Sequence, residues 1–130
     1  MAFLDSSIIA ELMGPNETVR AFLSGREPFW TSSICVFEVV QGRLGMGQTD
    51  VQAVRQEFPG VQVLDLNETI ALEAARLQDR LMGAGDRLAT VDILIAATAR
   101  STGEELVVAD ADFETDMLED VMRVHNLETQ

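Results

Sequence analysis

Leu106-Val107-Val108-Ala109-Asp110 is the stretch on which the fold turns. A strand made of consecutive apolar residues has no polar face, so it is buried on both sides. Such strands belong to parallel sheets covered by helices, and the acid after the run marks the strand's carboxyl end, where ligands bind in open α/β sheets. The same figure opens the chain. Ala2-Phe3-Leu4 reads as a brief strand, followed by Asp5-Ser6-Ser7, residue types that cap helices.

Between these two runs, strand and helix patterns alternate. Ile8 to Met13 reads as a helix stopped at Gly14-Pro15, and Asn16 to Ser24 as another stopped at Gly25. Phe29-Trp30-Thr31 is a strand, Ser32-Ser33 caps a helix over Ile34 to Leu44, and Gly42, Gly45 and Gly47 loosen its end. A helix over Asp50 to Phe58 ends at Pro59-Gly60, and Val61 to Leu64 is a strand. Asn67 caps a long helix to about Leu81, with Leu72, Ala75, Leu77 and Leu81 in its apolar stripe. An apolar helix over Ala89 to Arg100 stops at Gly103. A short helix near Phe113 to Leu118 and a strand over Met122 to Val124 complete the chain. The expected fold is α/β: a three-layer α/β/α sandwich around a mostly parallel sheet, formed as one domain over residues 1–130.

With 130 residues, 47% of them hydrophobic, the chain can bury a real core. Its charge is the unusual feature. Twenty-two acids face nine bases, a net of −13, and all nine bases are Arg. The absence of Lys excludes Schiff-base chemistry and any lysine phosphate clamp. It also argues against a protein that coats nucleic acid through cationic contacts. Most of the acids read as a hydrated surface of the kind suited to concentrated salt, where the Debye length is only ~3 Å at 1 M. Cys35 sits in an apolar run and reads as a small buried hydrophobe, and nothing local joins it to His125 as a nucleophilic pair. The opening residues lack the basic region of a signal peptide, and no apolar stretch reaches the ~18 residues of a membrane span. A soluble cytoplasmic protein is expected.

A few acids are out of place. Asp5 and Asp110 follow strands directly, although a helix cap and a turn acid would explain them equally well. Glu38 interrupts Ile34-Cys35-Val36-Phe37 and Val39-Val40; Asp92 interrupts Val91 and Ile93 to Ala97. At helical spacing Asp92 shares a face with Leu88, Ile95 and Ala99, and Glu38 with Ile34. A carboxylate on an apolar face needs a partner, and with so few arginines a cation competes with a structural ion pair. Asp5, Glu38, Asp92 and Asp110, with Asp112 as a further candidate, form an all-oxygen set that favours Mg²⁺ or Mn²⁺. Two such ions can activate water and stabilise the leaving oxygen in attack on a phosphodiester.

These segments resemble the motifs of PIN domains. Phe3-Leu4-Asp5-Ser6-Ser7 is similar to the opening strand-Asp motif, and Thr31 to Gly42 to the helix that carries the family's Glu. Asp92-Ile93-Leu94-Ile95-Ala96-Ala97-Thr98-Ala99 resembles the D-x-x-I-A-A-x-A segment, and Leu106 to Phe113 the last strand with its acidic loop. The four motifs stand in family order over residues 3–113, and the length resembles VapC-like toxins of type II toxin–antitoxin systems. The resemblance implies a Mg²⁺- or Mn²⁺-dependent endoribonuclease acting on an RNA substrate. It also implies a homodimer inhibited by a cognate antitoxin. Asp5, Glu38, Asp92 and Asp110 are then the catalytic metal ligands, Asp112 an additional or alternative one, and Ser6 and Ser7 supporting residues. Asp110-Ala111-Asp112 is more compact than the loop of many VapC proteins, which leaves the choice between its two acids open.

Two other readings compete. A receiver-like or dehalogenase-like phosphotransfer domain also places Asp at strand ends, but it needs a lysine this chain lacks. A non-catalytic PIN-like module that binds RNA or protein would keep the fold without the cleavage. Trp30 is available to stack on a base, Arg43 and Arg87 to touch phosphates, and Met117 and Met122 with Phe113 and Leu118 to form a dimer or antitoxin surface. Core packing and surface ion pairs account for the same residues.

Overall fold

The computed structural model describes residues 1–113 and 116–127, with the side chains of Asp112 and Asp116 outside that description. Five strands form one parallel sheet: β1 (Ala2–Leu4), β2 (Phe29–Ser32), β3 (Val61–Leu64), β4 (Glu105–Val108) and β5 (Val124–Asn126), in the order β3-β2-β1-β4-β5. Phe3 stands between Trp30 on one side and Leu106 on the other. The central strands carry no polar face, as their sequences require: all of β1 and Leu106, Val107 and Val108 of β4 are buried.

Strands β1, β2 and β3 step one way across the sheet and β4 and β5 the other, so the order reverses between β1 and β4. Right-handed crossovers then send the first four helices to one face and the later ones to the other. The first group is α1 (Ser6–Leu12), α2 (Glu17–Leu23), α3 (Ser33–Gln41) and α4 (Val51–Gln56). Within it α1 packs on α2 and α3, and α3 on α4. Opposite them α5 (Glu68–Gly83) lies against α6 (Thr90–Thr102), and α7 (Asp116–Val121) joins β4 to β5. The expected α/β/α sandwich is the observed one, with every strand pair parallel. Among the described residues no helix is long and apolar enough to cross a membrane.

Side-chain caps set several helix starts: Asn16, Asp50 and Asn67 accept from the backbone N–H of Val19, Ala53 and Ile70. Three expectations need correction. The apolar stripe of α5 is Ile70, Ala74, Leu77 and Leu81, all buried, whereas Leu72 is 49% exposed and Ala75 is exposed. At about 100° per residue Leu72 points away from both Ile70 and Ala74. Helix α3 ends at Gln41 with Gly42 as its cap, three residues short of Leu44. The last strand begins at Val124, because Leu106 and Val108 align with Val124 and Asn126. Phe113 and Leu118 are buried, and Met117 and Met122 are half-buried against the core, so packing accounts for that group.

The corrected stripe is testable. Leu77→Ala should cost about 2–5 kcal/mol in chemical denaturation, while Leu72→Ala should stay within about 0.5 kcal/mol of the parent.

Candidate metal centre

The site lies where the strand order reverses, at the carboxyl ends of β1 and β4, the place where adjacent connections diverge and leave a crevice. Asp5 closes β1 and is 2% exposed. Its backbone N–H donates to the Val107 carbonyl at 3.1 Å, which fixes it against β4. Its carboxylate caps α1: Oδ2 accepts from the Ser7 N–H at 3.2 Å and from Ser7 Oγ at 2.6 Å. The cap reading and the site reading are therefore compatible, since both of these bonds end on Oδ2.

Ser7 also reaches across the switch point. Its Oγ accepts from the Ala109 N–H at 2.9 Å, beside Asp110. Asp110 is half-buried, and its carbonyl accepts from Asn126 Nδ2 at 2.8 Å. Ser6 Oγ donates to Glu38 Oε1 at 3.0 Å and so ties α1 to α3. On the far side Thr31 Oγ1 donates to the Leu4 carbonyl at 2.8 Å, and Ser32 caps α3 through the Cys35 N–H at 3.1 Å. The serines expected to support the site each hold one carboxylate.

The electrostatics follow from burial. Burial raises the Asp5 carboxyl above its ordinary range; hydrogen bonds from Ser7 and the Ser6 N–H oppose the rise and the charge of Asp110 adds to it. Glu38 is also raised, first by burial, with Ser6 opposing and Asp5 and Asp110 adding. No cation enters either balance, and no ion pair among the described residues involves Asp5 or Glu38. Burial likewise pushes the Cys35 thiol up to about 11, with the charge of Asp5 adding.

The expected residues are gathered unequally. One ligand atom each from Asp5, Glu38 and Cys35 lies within 4.8 Å of the others. Asp110 stands outside that tight set but acts on both carboxylates. Asp92 is half-buried in the first turn of α6, also outside the set. The Asp112 side chain lies outside the described residues. Cys35 is buried as expected, but its place beside the acids was missed; its spacing of three from Glu38 on one helix was the available signal. Arg43 pairs with Glu57 at the surface, and Arg87 is exposed on the turn before α6.

The family model described as PIN domain matches residues 2–115. No curated protein matches the chain. Among solved structures it is similar to FitAcB from Neisseria gonorrhoeae, at 26% identity over 97% of each chain with a TM-score of 0.75. It is similar to a toxin–antitoxin complex from Klebsiella pneumoniae at 23% identity, covering 89% of this chain and 92% of that one with a TM-score of 0.71. VapC20 from Mycobacterium tuberculosis, a sarcin-ricin loop cleaving toxin, is 16% identical; 94% of this chain and 96% of that one are covered, at a TM-score of 0.61. The last two likenesses are of fold.

Because the folded chain holds protons on Asp5 and Glu38 at higher pH than the unfolded chain does, the cation-free fold gains stability as pH falls from neutrality towards the ordinary carboxylate range. Asp5→Asn removes the buried charge and keeps an acceptor for Ser7. Its melting temperature with chelator should exceed the parent's by about 2–5 °C at pH 8. The gap should close towards about pH 4, where the parent's carboxyl is protonated as well.

Proposed function

This chain belongs to the PIN domain family, and from that premise we propose that it is a VapC-like toxin, a Mg²⁺- or Mn²⁺-dependent endoribonuclease that hydrolyses RNA phosphodiester bonds. The observation that carries the reading is a carboxylate 2% exposed, beside a second carboxylate, with no ion pair to either among the described residues. A buried unpaired carboxylate is expensive, and a divalent ion is the counter-charge that such an oxygen set accommodates. Asp5, Glu38, Asp92 and Asp110 are the residues we assign to hold it, with Asp112 as a further or alternative ligand.

A bound divalent ion supplies a polarised water and charge stabilisation at the phosphate. The rest is done by the chain. Ser7 aims the Asp5 carboxylate and, through the Ala109 N–H, fixes the start of the loop that carries Asp110. Ser6 sets the rotamer of Glu38. Asp92, in the first turn of α6, is the residue we assign from the opposite face of the sheet. With no lysine in the chain, charge on the scissile phosphate falls to the bound cation and to arginine.

The same reading includes a single domain over residues 1–130, a homodimer, a cytoplasmic location and a cognate antitoxin that covers the site. The Klebsiella neighbour, a toxin–antitoxin complex, supports the antitoxin, and the sarcin-ricin loop cleaving neighbour supports RNA as substrate.

Purified protein should cleave structured RNAs, transfer RNA among them, in Mg²⁺ or Mn²⁺ and lose the activity in EDTA. Asp5→Asn should lose at least ~100-fold in rate, and Ser7→Ala about 10–100-fold, the usual effect of a group that orients a ligand. Cleavage that survives EDTA or Asp5→Asn would remove the metal-nuclease reading. Saturating Mn²⁺ should also raise the melting temperature, since an ion at 100 times its dissociation constant stabilises the native state by about 2.7 kcal/mol; an unchanged midpoint would count against the cluster.

A further inference from the structure

Trp30, the chain's single tryptophan, has no part in the proposed hydrolysis, yet it lies half-buried in the wall of a cavity. The sheet's register puts it there. Phe3, Trp30 and Gln62 stand side by side on one sheet face, and their cover thins towards the edge: Phe3 is fully buried, Trp30 half-buried and Gln62 exposed. Helix α5, which follows the edge strand β3, packs chiefly on α6 and leaves this part of the face open. A cavity of about 420 Å³ results, with Trp30 and Leu64 of the sheet on one side and Ser101, Thr102 and Glu104, at the end of α6, on the other. That volume falls within the ~300–1,000 Å³ of small-ligand sites. A second cavity of about 260 Å³ shares Leu64 and Ser101 with the first and reaches Asp65 and Asn67, beyond the carboxyl end of β3.

The polar groups of the first cavity are held ready. Thr102 Oγ1 donates to the Ala99 carbonyl at 2.6 Å and accepts from the Glu104 N–H at 3.0 Å, which fixes the main chain at Glu104. Among the described residues, the Glu104 carboxylate and the Trp30 indole N–H enter no hydrogen bond or ion pair, although both residues are half-buried. An aromatic face and an acceptor-only carboxylate in one cavity fit a flat ring that carries adjacent N–H donors. Any nucleobase can stack on Trp. Guanine is the base whose Watson–Crick edge presents two neighbouring donors, N1–H and the N2 amino group, to a carboxylate. Charge points the same way. A chain at −13 without lysine holds RNA poorly through its phosphates, so a neutral base is the part of RNA it can grip. Arg100, in no ion pair among the described residues, lines a further cavity that also reaches Ser101 and offers a counter-charge to a flanking phosphate.

We propose that this cavity is a base subsite for single-stranded RNA, in which a guanine stacks on Trp30 and is held at its edge by Glu104. The inference rests on RNA as the substrate of the proposed nuclease. The second cavity leads from the subsite to the carboxyl end of the sheet, the end that carries the metal centre. A guanine held at Trp30 thus selects the RNA by its base and leaves cleavage to the acids.

As the only tryptophan, Trp30 reports on its own site. Guanosine, whose binding needs neither metal nor cleavage, should quench the emission of the full-length, chelator-treated protein to saturation. Adenosine, cytidine and uridine should need at least ~10-fold higher concentrations, the usual worth of a paired base-edge contact. Glu104→Gln should weaken guanosine binding at least ~10-fold and remove the preference among bases. Trp30→Leu, followed by calorimetry because the fluorophore is gone, should weaken it about 10-fold through the lost stack. No saturable quenching, equal quenching by all four nucleosides, or a preference that Glu104→Gln leaves intact would overturn the subsite. So would an emission that shifts with protein concentration and ignores nucleosides, which would give the cavity to a second copy of the chain. Guanosine binding without metal-dependent cleavage of RNA would keep the base site and remove the nuclease reading; metal-dependent cleavage without nucleoside binding would do the reverse.

Discussion

A carboxylate sealed into the end of a parallel sheet, with hydroxyls around it in place of a cation, is the constraint to which the rest of this structure answers. Asp5 cannot retreat: its N–H is bonded to β4, its Oδ2 caps α1, and Phe3 and Leu4 before it are fully buried. Nor is it neutralised by a neighbour, since each ion pair found among the described residues joins an arginine to some other acid. Two serines make the position tolerable and at the same time rigid. Ser7 ties the carboxylate to the Ala109 N–H and Ser6 ties α1 to Glu38, so the hydrogen bonds that offset the desolvation also fix the spacing of the acids. Stability and site geometry are therefore one set of contacts. A change that relieves the buried charge stabilises the fold and dismantles the site together.

The topology explains why these particular acids meet. Asp5 and Asp110 are far apart in the chain, but β1 and β4 are neighbours in register, with Leu4 beside Val107. Reversal of strand order at this pair sends the following helices to opposite faces, which opens the sheet edge between them. Glu38 arrives from β2 on the other flank of β1, carried more than one helical turn beyond the Ser32 cap. No loop of unusual length is required. Short strands and immediately following caps deliver three carboxylates to one end of the sheet.

Much of this was legible in the sequence because it is local. Apolar runs followed at once by Asp or Ser fixed the central strands and their carboxyl ends, and Asn16, Asp50 and Asn67 marked helix starts by their own chemistry. An acid inside an apolar helix flagged Glu38 and Asp92. What failed depended on partners. The α5 stripe was misjudged at Leu72 and Ala75 because an alanine-rich helix offers two overlapping apolar stripes, and only packing against α6 selects Ile70, Ala74, Leu77 and Leu81. The last strand slipped by two residues because its register is set by β4. Cys35 was read as core, which it is, but a sequence assigns burial without saying what lies across the buried face. The tight set in the structure is Asp5, Glu38 and Cys35, with the charge of Asp110 acting on both carboxylates, whereas the four-acid grouping came from motif order and left Cys35 out.

The net charge of −13 takes a different meaning under the proposed metal site. An arginine placed against Asp5 would satisfy its charge and occupy the space a metal needs, so scarcity of bases near the switch point is a condition of the site. The same scarcity works against a polyanionic substrate. For an ordinary nucleic-acid-binding protein added salt weakens association, because counterions released by cationic contacts are driven back. For the proposed RNA substrate the long-range term would be repulsive, and salt shortens its reach from ~10 Å at 0.1 M to ~3 Å at 1 M. Divalent ions held at the proposed site would be screened less than the exposed acids, because Asp5 is buried and Glu38 is partly so. On the proposed function, raising the salt would then remove repulsion faster than the attraction centred on the site, a route to an anionic substrate open to an acidic, lysine-free chain.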